Sequence, residues 1–216
     1  MVSIIVRTLS ERVFDVVREQ IVSGRLSTDT PIRQDALAAE LGVSKIPLRE
    51  ALGRLEQEGL LTSQANRGFF VQPMSTEQAE EIYALRLAIE PDAAAFAAGH
   101  ADDAARDAAV AAFEELDHAA GTDLPAVAAC NRQFHVALVR PGGKLLTTQV
   151  VERLSILSER YVIKHLEPAG RESRAHREHR ALLDAFLAGD GARLKILLIA
   201  HIGATLEDLR VQFGTR

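Results

Sequence analysis

Four residues in the second half of the 216-residue chain have the types and spacing of a metal centre. Asn131 and His135 stand one helical turn apart in a stretch whose apolar stripe is Val127, Phe134 and Leu138. His179 shares a helical face with Leu182, Leu183 and Phe186, and His201 shares one with Leu194, Leu198 and Ile202. All four are therefore aimed at a core. His179 and His201 also lie ten and eleven residues either side of the Gly189-Asp190-Gly191 break. At about 1.5 Å per residue, an antiparallel helix pair brings both to the same height, roughly 15–16 Å from the turn. Neutral imidazoles suit zinc, nickel and similar cations, and the amide oxygen of Asn131 completes a ligand set that leaves positions open. A single such histidine is usually a hydrogen-bonded core residue. Three at matching positions make the metal reading the stronger one.

The elements that must hold these residues are nearly all helical. Ser75 and Gln78 form a capping box, and breaks follow at Gly99, Gly121, Pro141-Gly142-Gly143, Pro168 to Gly170 and Gly189 to Gly191. About six helices result, the first kinked at Pro91. The predicted fold is mainly α: a winged helix-turn-helix domain over residues 1–73, a linker at 74–77, and an all-α six-helix bundle over 78–216.

Composition agrees with two different tasks. Residues 1–72 carry nine basic and nine acidic residues, whereas the remainder carries 16 and 21 and all seven histidines. Hydrophobic residues at 47% and charged residues at 25% exclude a disordered or collagen-like chain. No apolar run approaches a membrane span, and one cysteine, Cys130, forms no internal disulfide and fits a reducing cytoplasm. The expected location is cytoplasmic.

The first domain reads as a DNA binder. A capping box at Thr8 to Glu11 opens a helix carrying Val13, Phe14, Val17 and Ile21 inward. A short helix covers about Asp35 to Leu41, Gly42 turns the chain, and Ser44 caps a third helix packed through Leu48, Ala51, Leu52 and Leu55. Lys45 and Arg49 then share its outward face, and Arg54 points elsewhere into solvent. Leu60 to Thr62, a turn over Gln64 to Gly68, and Phe69 to Val71 form the wing, with Arg67 at its tip. An exposed helix N-terminus carrying two basic residues suits a major groove and its phosphates.

The run from Gln34 to Leu52, then Leu55, Glu58-Gly59-Leu60 and Arg67-Gly68, resembles the GntR family of bacterial transcription regulators, as does Ile21 to Leu26 upstream. The helix-turn-helix spans residues 34–53. The resemblance implies that Arg33, Gln34, Ser44, Lys45, Pro47, Arg49, Arg67 and Gly68 form the DNA-binding surface, with Ser44 and Pro47 shaping the start of the third helix. Lys45 stands where the family usually has arginine, and Asp35 where many members have a basic residue.

Residues of about 78–206 resemble the FCD ligand-binding domain of the family's FadR branch, which often holds a metal on Asp-x-x-x-His and two later histidines. Here Asn131 replaces the aspartate, with His135, His179 and His201 following. A neutral amide holds a cation less tightly than a carboxylate. The resemblance further implies that Arg86, and more weakly Arg160, hold a small carboxylate effector; from spacing alone Arg86 is equally an i, i+4 partner of Glu90.

The expected function is a homodimeric, ligand-responsive repressor of a two-fold operator, with zinc or nickel in its effector pocket. A metal-free effector pocket and a purely structural metal are alternatives. Metal-dependent hydrolysis needs a base beside the bound water; no HExxH pattern occurs, and no catalytic residue is assigned.

Overall fold

The computed structural model describes residues 8–120, 123–168 and 170–214, so the expected break at Gly121 lies outside the described residues. The chain forms two compact units, Met1–Pro73 and Met74–Arg216.

In the first unit, α1 (Leu9–Val22) opens with a complete capping box: Thr8 accepts from the Glu11 amide, and the Glu11 carboxylate accepts from the Thr8 amide. α2 (Gln34–Glu40) and α3 (Lys45–Gln57) are separated by the left-handed Gly42, φ 65°. Val17, Ile21, Leu48, Ala51, Leu52 and Leu55 are fully buried and form one core. Strands β1 (Leu61–Gln64) and β2 (Gly68–Val71) pair antiparallel with Thr62 opposite Phe70. β1 begins one residue later and runs two further than the sequence suggests, because Gln64 pairs with Gly68 and the turn shrinks to three residues. Asn66 (φ 62°) and Gly68 (φ 88°) supply the left-handed conformations that so tight a turn requires. The Ile32 amide donates to the Phe69 carbonyl at 2.8 Å and ties the segment before α2 to the wing.

The second unit contains six α-helices among its described residues: α4 (Thr76–Ala98), α5 (Asp103–Ala119), α6 (Leu124–Val139), α7 (Leu145–Leu166), α8 (Arg171–Leu187) and α9 (Gly191–Phe213), with a 3-10 turn at Arg140–Gly142. The expected linker at 74–77 is shorter than predicted, since Thr76 and Glu77 already belong to α4. Ser75 accepts from the Gln78 amide, but Gln78 does not return the bond; its carbonyl oxygen accepts from the Tyr161 hydroxyl at 2.8 Å instead. α4 runs unbroken through Pro91, which is buried. Tyr83, Phe113, Phe134, Leu138, Leu182 and Phe186 are nearly inaccessible and fill the bundle. α9 starts hard against α4, and Lys195 reaches back to Asp92 at 2.5 Å.

Candidate metal centre and nucleic-acid interface

The alternation of apolar and polar residues along α6, α8 and α9 turns His135, His179 and His201 inward, and the bundle brings their rings together. Ring centroids lie 4.7 Å apart for His179 and His201, 5.4 Å for His135 and His201, and 5.7 Å for His135 and His179. One nitrogen from each ring falls within 4.8 Å of the others. The Nε2 atoms of His135 and His179 are buried without a hydrogen-bond partner. Such orphaned nitrogens cost about 1–3 kcal/mol each unless something binds them. This donor set can hold a metal ion.

Carboxylates fix the outer nitrogens of two of the three rings. His201 Nδ1 lies 2.7 Å from Glu178 Oε2, and His135 Nδ1 lies 3.2 Å from Glu90 Oε2. Arg86 Nη2 also approaches His135 Nδ1, at 3.4 Å. The shorter contact to an acceptor-only carboxylate puts the proton on Nδ1, which leaves the Nε2 lone pair facing inward. Burial lowers the pKa of His135 to about 4 and that of His179 well below its ordinary value, so both rings are neutral and ready to ligate. Burial would raise the Glu90 carboxyl, yet Arg86 and His135 hold it at about 2.

Arg86 is the i, i+4 partner of Glu90 that its spacing allows. Its Nε and Nη2 grip the two Glu90 oxygens at 2.6 and 3.1 Å, and Nη1 donates to Ser158 at 3.2 Å. The same buried side chain lines a cavity of about 50 Å³ with Tyr83, Asn131 and the three histidines. Asn131 is buried beside them, with no hydrogen bond from its amide to any described residue.

One other expectation fails in this unit. Arg160 does not line the cavity; it lies half-buried elsewhere on α7, because the inward face there is carried by Val162 and His165. His165, unassigned from sequence, is buried in the last turn of α7, lines the cavity and faces Asp208 at 3.4 Å. His176 stays 43% exposed at the surface, pairs with Asp117 at 2.8 Å and also lines the cavity. Glu178 and the second oxygen of Glu90 were invisible as histidine partners, since each reaches a ring on another helix and leaves no periodic trace. Cys130 is half-buried among apolar neighbours, and burial raises its thiol pKa.

In the first unit the basic face of α3 is organised by α2. Lys45 pairs with Asp35, and Arg49 Nε donates to Gln34 Oε1 at 3.2 Å, with all four side chains at least partly open to solvent. The Asp35 that departs from the family pattern is thus a rest for Lys45. Ser44 occupies the N-cap position in extended geometry, but its hydroxyl makes no cap bond, so hydroxyl and first-turn amides both stay open. Pro47 is buried and packs inside the unit, which removes it from the contact surface; at the third helical position its missing N–H costs nothing. Arg67 is exposed at the wing tip and bonds Gln64 at 2.8 Å, and a side chain at Gly68 would meet Gln34 at 3.9 Å. Arg33 is exposed just before α2. Arg54 is exposed to solvent as expected, and its guanidinium also stacks over the Phe14 ring at 4.5 Å. Sequence reading missed Ile46, which is 70% exposed between Lys45 and Pro47.

A winged helix that presents a basic helix N-terminus, joined in one chain to a helical bundle built round a histidine-lined cavity, defines the class of ligand-responsive DNA-binding regulators. Sequence models of known families sharpen this: "Bacterial regulatory proteins, gntR family" matches residues 9–71 and "FCD domain" matches residues 81–204. The chain belongs to the GntR family of bacterial transcription regulators, in the group that carries an FCD domain. It is 32% identical over 219 residues to the "Uncharacterized HTH-type transcriptional regulator BphR" of Paraburkholderia xenovorans, across 97% of this chain and 88% of that protein. It is 30% identical over 203 residues to the "Probable D-xylose utilization operon transcriptional repressor" of Paenarthrobacter nicotinovorans, across 92% and 88% of the two chains. The solved structure "E. coli McbR/YncC" shares the fold, with a TM-score of 0.80 at 22% identity over 97% of this chain and all of that one. No described helix is long and apolar enough to cross a membrane.

Proposed function

We propose that this regulator is a cytoplasmic homodimeric repressor whose grip on a two-fold operator changes when a small organic acid enters a metal-containing pocket in the second unit. The observation that carries the pocket is the set of three imidazoles with nitrogens within 4.8 Å of one another, two of them buried and unpartnered. His135, His179 and His201 would hold zinc or nickel, with the Asn131 oxygen as a fourth, weaker ligand. Bound there, the cation supplies positive charge that anchors a carboxylate. Arg86 stiffens the same end of the cavity through Glu90 and Ser158. In the first unit Lys45 and Arg49 would read base edges in a major groove, with the open amides around Ser44, and Arg33, Gln34, Arg67 and Gly68, on the backbone. The effector acts only through unequal affinity for the DNA-bound and free states.

The unbonded neutral amide of Asn131 supports a second reading, in which the effector binds with no metal and Asn131 supplies a direct hydrogen bond. Elemental analysis of the purified, untagged protein beside its His201→Ala variant separates the two. About one equivalent of zinc or nickel in the parent, absent from the variant, supports the first. A metal-free parent that still binds its own promoter DNA with a steep salt dependence supports the second.

A further inference from the structure

The start of α4, where the chain enters the second unit, is held by a residue of α7. In a reciprocal capping box the side chain at the third helical position accepts from the N-cap amide. Ser75 is the N-cap here and Gln78 occupies that third position, yet the Tyr161 hydroxyl stands between them. The Ser75 amide donates to the Tyr161 oxygen at 3.1 Å. The Tyr161 O–H donates in turn to Gln78 Oε1 at 2.8 Å, with the Ser75 carbonyl oxygen as a second acceptor at 3.1 Å. Tyr161 is only 2% exposed, and its ring meets Phe213 edge-on with 6.0 Å between centroids. Withdrawal of the hydroxyl lets Gln78 close the box on the Ser75 amide, so no backbone donor is stranded. Both arrangements are satisfied locally, as a two-state element requires.

Pocket residues flank Tyr161 on its own helix. One turn before it, Ser158 accepts from Arg86 Nη1 at 3.2 Å, and Arg86 lines the cavity. Val162 follows directly and His165 comes one turn later, and both line the cavity too. Interiors are close-packed, so a group that fills the cavity against Val162 or His165 bears on the helical turn that carries the hydroxyl.

We infer that Tyr161 is a positioning residue that couples the pocket to the start of α4. An occupied pocket shifts α7 and so changes the balance between the Ser75–Tyr161–Gln78 relay and the closed capping box. This rests on the pocket reading above and names how occupancy of that pocket is passed on. The first turn of α4 is the place to pass it, since the first unit ends at Pro73, two residues before Ser75.

The test is amide hydrogen exchange over residues 72–82 of the full chain, read by mass spectrometry with no ligand added. Tyr161→Phe and Gln78→Ala should each have a small effect, because Gln78 or Tyr161 remains to accept from the Ser75 amide. The double variant leaves that amide no side-chain partner, and exchange should quicken about fivefold or more beyond the product of the single effects. Single effects that simply multiply overturn the two-state cap. Val162→Leu then fills part of the cavity from α7. It should alter exchange over residues 72–82 about threefold or more in the parent and leave it unchanged in the Tyr161→Phe background. Residues 92–98 of α4 control for global opening. No response in the parent, or an equal response without the hydroxyl, overturns the coupling. Affinity for the protein's own promoter DNA, measured on the same variants, separates this from the reading on which it rests. Exchange that responds while affinity stays fixed keeps the tie and overturns the effector reading of the pocket.

Discussion

Glu178 Oε2 lies 2.7 Å from His201 Nδ1, on the neighbouring helix of the same antiparallel pair, and this contact orients a ring that sits on the rim of the imidazole cluster. A carboxylate on the outer nitrogen fixes the tautomer and raises the basicity of the inner one. Partial burial of Glu178 raises the energy of its own carboxylate, but the bond to His201 and the nearby Arg174 more than offset this and lower its pKa. Glu178→Ala is expected to weaken zinc binding about 10- to 100-fold with the helical content unchanged. Competition with a chromophoric chelator reads this directly, and an unaltered affinity would remove Glu178 from the site.

Acid should destabilise the metal-free second unit within a defined window. Burial holds His135 and His165 near pKa 4, against 6.5 for an unfolded histidine; for His165 the nearby Arg174 and Arg171 add to the shift. Between those values the unfolded chain binds protons that the folded one excludes, so stability rises with pH there and falls as pH drops from about 6.5 towards 4. The only two tyrosines, Tyr83 and Tyr161, both lie in this unit and the chain has no tryptophan. Tyrosine fluorescence in urea, with chelator present, therefore follows this unit alone. Equal midpoints at pH 7.5 and pH 5 would contradict the buried neutral rings.

Two substitutions at the α2–α3 contacts should move operator affinity in opposite directions. Arg49→Ala removes an exposed guanidinium that donates to Gln34, and operator affinity should fall by about 1–3 kcal/mol, or about 5- to 150-fold, with no loss of fold. Asp35→Ala frees Lys45 from an exposed ion pair and removes a charge that repels phosphate. Its affinity should rise, and the rise should shrink with added salt. Electrophoretic mobility shifts over a salt series measure both.

Ile46 is too exposed to be a core residue and sits in the first turn of α3. An apolar side chain there suits contact with a thymine methyl group. Ile46→Ser should relax preference at one operator position and spare affinity for unrelated DNA. Selection from a randomised operator library would reveal that change, and an unchanged preference would assign Ile46 no part in reading.

Gly191 marks where α9 abuts α4. A Cβ there would fall 2.5 Å from the Ala95 carbonyl oxygen, a backbone atom that cannot move aside cheaply. Gly191→Ala should cost about 1–3 kcal/mol, as other overpacked contacts do. Gly203, in the same helix, has nothing within 4 Å of its added Cβ. Gly203→Ala should stabilise by about 0.5–1 kcal/mol through helix propensity. Urea unfolding by tyrosine fluorescence compares the pair.

The sequence alone determined the two-domain architecture, the helix-turn-helix and the inward aim of the histidines, because all of these are written in local periodicity and capping. Thr8 and Glu11 close their box within one turn, and Phe134, His135 and Leu138 declare their common side of α6 by spacing alone. The positions of Gly42, Gly68 and Gly189 likewise follow from backbone demands that glycine meets most easily.

Only the tertiary structure decided who meets whom across helices. Gln78 gave up its half of a capping box to the Tyr161 hydroxyl, which lies 83 residues away in sequence. Glu178 projects about 100° from His179 on its own helix, and that direction points it at His201 on α9. Arg160 and His165 differ by five residues on α7, and only the packing of that helix made His165 the one that faces the cavity. Periodicity fixes the face of a helix, but the partner of each side chain depends on the rotation and height at which whole helices pack, and that is set by the summed fit of the core.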